Sequence, residues 1–100
     1  MKKLTNNQKK FLRARGHALK PIVMVGQHGL SESVLAELES TMTKHELLKI
    51  KIRAEDRDDR QKMIDEVINV TKAHLIQVIG SVMVIYRAFE EEPQIILPRK

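Results

Sequence analysis

Cysteine is absent from all 100 residues. That excludes a disulfide framework, a thiolate metal site and a thiol nucleophile, and it accords with a reducing compartment. No apolar run is long enough to span a bilayer. The opening residues, Met1-Lys2-Lys3-Leu4-Thr5-Asn6-Asn7-Gln8, turn polar at once where a secretory signal would be apolar, so a cytoplasmic location is expected. Internal repeats and low-complexity segments are also missing. The histidines, His17, His28, His45 and His74, have no i, i+4 pairing, which argues against a zinc site. Glu55 to Asp59 lacks the glycine and terminal glutamate of a calcium loop, and Arg57 and Arg60 neutralise it. No nucleophile with a base and no carboxylate pair in an apolar setting can be assembled. Neither an enzyme, nor a cofactor, nor a small-molecule substrate is expected.

Acid is missing from one region in particular. Residues 1–20 hold Lys2, Lys3, Lys9, Lys10, Arg13, Arg15 and Lys20 and no Asp or Glu, more positive charge than the whole chain's net +5. Lys44 to Arg53 adds four cations against Glu46 alone, and Glu90-Glu91-Glu92 forms a small acidic cluster. A pI near 9.7 favours a polyanionic partner without identifying it. With 42% hydrophobic residues, a chain of this length fills one core, hence one domain.

Local patterns predict seven elements. Thr5 and Gln8 have the spacing of a capping box, and Phe11, Leu12, Ala14, Ala18 and Leu19 mark a first helix ending near Gly16. Lys20-Pro21 biases the chain to an extended path, and Ile22-Val23-Met24-Val25 reads as a strand buried on both faces. Ser31 is a good N-cap for a helix running to about Lys44, with Val34, Leu38 and Met42 at four-residue spacing and Leu35 alongside. Leu48, Ile50 and Ile52 alternate with Lys49, Lys51 and Arg53, the period of a half-buried strand. Asp58 or Asp59 can cap a third helix carrying Met63, Ile64, Val67, Ile68 and Thr71 inward. His74–Ile79 and Val82–Arg87 are joined by Gly80-Ser81, a hairpin connection with glycine first. Gln94-Ile95-Ile96-Leu97, between Pro93 and Pro98, is either a short edge strand or an ordered tail. The order α-β-α-β-α-β-β is that of a two-layer α/β (α+β) domain.

Gly26-Gln27-His28-Gly29 lies between the first strand and the second helix. Such a junction gathers unpaired amides and the positive end of a helix dipole, and glycines allow a phosphate backbone to approach. The same spacing also occurs in turns where glycine serves geometry alone. A Walker loop is excluded by the missing Gly-Lys-Ser/Thr, and a dinucleotide fingerprint by the missing first glycine. What survives is clamping of a nucleic-acid backbone. Lys49, Lys51 and Arg53 would form a stripe with a repeat of roughly 6–7 Å, or else the solvated face of a strand. Met24, Met42, Met63 and Met83 fall at core positions, and Tyr86 and Phe89 are read as packing groups.

The string Lys20-Pro21-Ile22-Val23-Met24-Val25-Gly26-Gln27-His28-Gly29-Leu30-Ser31, the helix after it and Leu47-Leu48-Lys49-Ile50-Lys51-Ile52 together resemble the CRM domain family. The name stands for chloroplast RNA splicing and ribosome maturation. The resemblance is to its bacterial stand-alone, YhbY-type members and extends from Leu4 to about Arg87. It implies a mixed four-stranded sheet with three helices, similar to the C-terminal domain of translation initiation factor 3. The domain would fill residues 1–100, with a core at about 4–88 and residues 89–100 as tail or edge strand. It further implies RNA binding, with ribosomal RNA of the large-subunit precursor as partner; a monomer without a membrane partner is expected. The expected RNA-binding residues are Gly26, Gln27, His28, Gly29, Leu30 and Ser31 in the loop, Lys20 before it, Lys9, Lys10, Arg13 and Arg15 on the first helix, and Lys49, Lys51 and Arg53. His28 stands where the family often has a basic or polar residue, so capture there would depend on pH. Two other readings stay open: an Alba-like, sequence-tolerant nucleic-acid binder, and a protein interaction module docking an acidic partner.

Overall fold

The computed structural model describes residues 3–26 and 29–100. Thr5 starts helix α1 (Asn6–His17) with the expected capping box: its Oγ1 accepts from Gln8 N at 3.1 Å, and its own N–H donates to Gln8 Oε1 at 2.9 Å. The helix ends within one residue of the expected position, Gly16. A Cβ there would lie 3.2 Å from Val84 Cγ1, so this glycine lets α1 lie tightly on the sheet. Strand β1 (Val23–Val25), helix α2 (Glu32–Met42), strand β2 (Leu47–Ile52), helix α3 (Arg57–Thr71) and strands β3 (His74–Ile79) and β4 (Val82–Tyr86) follow in the expected order.

The strands form one mixed sheet in the order β1-β2-β4-β3, in which β1 and β2 are parallel and the other pairs antiparallel. Strand alternation divides its side chains between two cores. Val23, Val25, Leu48, Ile50, Ile52, Met83 and Ile85 point to α2 and α3, where Leu38, Met42, Met63, Ile64 and Val67 meet them. Each such side chain, fully buried, contributes about 1.5–3 kcal/mol. On the other face Leu47, Ile76, Val84 and Tyr86 pack with Leu4 and Leu12 of the α1 region. To the two layers expected, α1 thus adds a partial third.

Two local expectations need correction. β1 is not buried on both faces: Ile22 is 52% and Met24 49% exposed, because β1 is an edge strand and α1 packs over β2, β3 and β4. Helix α3 is capped by Asp56, not Asp58 or Asp59; the extended backbone of Asp56 lets its Oδ1 accept from Asp59 N at 2.8 Å. Helix α2 ends at Met42, and hydrogen bonds from Thr43 N and Lys44 N continue its last turn to about Lys44, as expected. Beyond Tyr86 the chain forms no further strand; Ile95 and Leu97 pack against the α1 core, and Gln8 Nε2 donates to Pro98 O at 2.8 Å.

Candidate nucleic-acid interface

The turn between β1 and α2 is held at both ends. Val25 is fully buried, and Gly29 N donates to Gly26 O at 3.0 Å. Gly29 has φ +75°, the left-handed region in which a side chain is strained. Leu30 packs against the main core, and Ser31 Oγ accepts from Val34 N at 3.3 Å to cap α2. The remaining first-turn N–H groups of α2 have no intrahelical partner, as in any α-helix. Gln27 and His28 lie outside the described residues, and with them the expected pH dependence of capture.

Gly26 differs from the other glycines. Its φ is not in the left-handed region, and a Cβ there would meet no heavy atom within 4 Å among the described residues. Among the described residues, neither a positive φ nor a neighbouring atom requires glycine at that position.

The expected cations fall into two sets. Lys20, Lys51 and Arg53 are exposed: Lys51 lies on β2 opposite Met24, Arg53 follows β2 beside the turn, where its N–H donates to Val25 O at 2.8 Å, and Lys20 lies before the start of β1. Lys49 is half-buried, and its Nζ donates to Leu19 O at 3.2 Å, so it also fastens the α1–β1 connection. Lys9, Lys10, Arg13 and Arg15 are spread along α1, whose 12 residues span about 18 Å. Lys9 lies close enough to His74, at the far end of the sheet, for its charge to act on that imidazole. Arg15 stacks 5.6 Å over the Phe11 ring and, with Lys44, His45, Glu46 and Phe89, lines a cavity of about 430 Å³. The register therefore sets Arg53 beside the turn that holds Gly26, Gly29, Leu30 and Ser31, with Lys51 two residues further along β2, while Lys49 and Lys20 lie toward the other end of β1 and the α1 cations lie apart from the turn.

Two groups were not legible as functional or structural partners from pattern alone. The sheet register places Met24, Lys51, Val82 and Ile79 in one row across all four strands. These residues come from four separate segments, and only the register joins them. Glu46 is 3% exposed and its carboxylate accepts three N–H groups of the C-terminal segment, from Phe89, Gln94 and Ile95. Tyr86 is buried and stacked on His74 at 6.2 Å, which withdraws it from contact with a base. Burial raises its hydroxyl pKa, with a smaller push from Glu46, and burial lowers that of His74. Among the described residues no helix is long and apolar enough to cross a membrane, and no group of three His, Cys, Asp or Glu is placed to hold a metal.

Comparison with known proteins adds the following. A family model described as the CRS1 / YhbY (CRM) domain matches residues 4–87. A Haemophilus influenzae protein named "RNA-binding protein" is 45% identical over 100 residues, the full length of both chains. The Bacillus subtilis protein "Probable RNA-binding protein YqeI" is 30% identical over 95 residues, 95% of this chain and 99% of that one. The solution structure of a hypothetical protein from Staphylococcus aureus superposes with a TM-score of 0.81 at 34% identity, covering 96% of this chain and 100% of that one.

Proposed function

This chain belongs to the CRS1/YhbY (CRM) domain family, and we propose that it is a non-catalytic RNA-binding protein that holds a phosphate backbone at the Gly26–Gly29 turn. In this reading Gly26 admits the backbone, the first-turn amides of α2 take a phosphate oxygen, and Lys20, Lys51 and Arg53 supply attraction over a Debye length. The α1 cations act at longer range. The observation that carries the reading is Gly26, a glycine that neither φ nor packing among the described residues demands, next to a capped helix start in a chain of net charge +5. The names of the Haemophilus and Bacillus relatives support RNA as the polyanion. The target we propose is ribosomal RNA of the large-subunit precursor, bound in the cytoplasm by the monomer during subunit assembly. Bacterial stand-alone members of the family are associated with that context.

The test is crosslinking and sequencing of RNA bound in cells, run for the wild type and for Gly26→Val. Recovery of a defined cluster in large-subunit ribosomal RNA, lost in the variant, is the expected result. Scattered recovery that ignores the substitution would remove the turn from the mechanism.

A further inference from the structure

The face of the sheet that α1 covers is open at the turn end. Gly16 lies against Val84, and the chain then leaves the sheet through His17–Pro21 to begin β1, so no element among the described residues packs over the next row, Met24–Lys51–Val82–Ile79, although Val82 is half-buried. Ile79 is 59% and Met24 49% exposed. At a strand spacing of about 4.8 Å the row is about 14 Å wide. Beside it, between the end of α1 and the hairpin corner, is a pocket of about 270 Å³ lined by His17, Pro21, Lys49, Gln77, Ile79 and Val82 among others. Lysines cross this apolar surface at positions 49 and 51, and no carboxylate lies in either row. Met24 is two residues from Gly26.

An occupant must therefore have apolar faces and negative charge at a short repeat. Unstacked single-stranded nucleic acid has both; a duplex hides its base faces, and an acidic peptide lacks a regular apolar face. We propose that this row receives the unpaired nucleobases of a single-stranded RNA segment whose backbone continues to the Gly26–Gly29 turn. The bases lie on Met24, Val82 and Ile79, Lys51 meets the phosphates between them, and Gln77 and His17 supply hydrogen-bonding groups to base edges. This rests on the RNA-binding reading above and adds the strand state that the protein selects.

The experiment is fluorescence anisotropy of the full chain with a single-stranded RNA and a fully paired RNA of the same length, for the wild type, Gly26→Val and Met24→Ser/Ile79→Ser. Both serine sites are half exposed, and a melting curve checks that the double variant folds. The expected result is a loss of about tenfold in single-strand affinity for the double variant. Duplex affinity and the salt dependence should stay unchanged, because no charge is removed. In parallel, crosslinks from thiouridine-substituted RNA to wild-type peptides containing Met24 and Ile79 are expected. Unchanged single-strand affinity in a folded double variant, with Gly26→Val weakened, overturns the base-binding row and leaves the turn in place. A double variant that changes only self-association or protein capture assigns the row to a protein interface and likewise overturns it. No RNA binding by the wild type overturns the underlying reading.

Discussion

Glu46 Oε1 accepts the backbone N–H of Gln94 at 2.7 Å, joining the start of β2 to a residue 48 positions further on. The same oxygen accepts from Ile95 N at 2.6 Å, and Oε2 accepts from Phe89 N at 2.8 Å. A carboxylate this buried is tolerated because three amide donors replace its water. The contact fastens the C-terminal segment over the smaller core, bringing Ile95 and Leu97 against it. Glu46→Ala should lower stability by about 2–3 kcal/mol, short of the full cost of three charged hydrogen bonds, because the released segment regains solvent. Urea unfolding measures the loss, and limited proteolysis should show new cleavage between Arg87 and Lys100. A variant as protease-resistant as the wild type would show that apolar packing alone holds the segment.

The two glycines of the turn should separate stability from binding. Gly29→Ala places a side chain at φ +75° and should cost about 1–2 kcal/mol. Gly26→Ala meets open space at an ordinary φ and should stay within about 0.5 kcal/mol of the wild type. Thermal melts of the two variants decide this. If Gly26→Ala is the more destabilised, the inference that its glycine is kept for a ligand fails.

What could be read in advance was whatever depends on neighbours in sequence. The Thr5–Gln8 box, the Ser31 cap and the alternation of Leu48, Ile50 and Ile52 are each complete within a few residues, and each has its expected place. β1 was misjudged because a short apolar run looks the same whether one face or two are covered; its edge position depends on the sheet order. In Asp56-Arg57-Asp58-Asp59 several side chains could cap a helix, and the extended backbone at Asp56 selects one. Glu46 looked like the one acid in a basic stretch because its partners are 43–49 residues away. The same limitation hid the Met24–Lys51–Val82–Ile79 row, which exists only through strand register.

His74 makes stability depend on pH. Burial disfavours its charged form and the charge of Lys9 adds to this, so its folded-state pKa is below the ordinary 6.5. Well above pH 6.5 the imidazole is neutral in both states and contributes no pH dependence. As pH falls below 6.5 the unfolded chain takes up the proton first, and stability drops until the folded-state pKa is passed. Urea midpoints should therefore decline from pH 7 to pH 5, and His74→Gln should flatten that part of the profile. An equal slope in the variant would assign the decline to other groups.

Arg87 joins three elements through one guanidinium. Its two terminal nitrogens donate to Glu39 Oε1 at 2.8 Å and Oε2 at 3.1 Å, and Nη1 also donates to Thr71 O at 2.7 Å, at the C-terminus of α3. Its hydrogen bond to Glu39 holds that carboxyl below the usual carboxylate range. Stability from the pair is therefore present at neutral pH and lost as pH falls through the lowered pKa. The two contacts are unequal. The Glu39 side chain is 57% exposed, so solvent screens the ion pair, whereas the Thr71 carbonyl lies at a helix end that lacks intrahelical donors. Glu39→Gln should cost no more than about 0.5 kcal/mol, and Arg87→Ala about 1–2 kcal/mol. Arg87→Lys keeps the charge but cannot reach carboxylate and carbonyl with one planar fork, and should fall between them. Chemical unfolding of the three variants gives this order directly; equal losses for Glu39→Gln and Arg87→Ala would make the ion pair, not the helix end, the main contribution of Arg87.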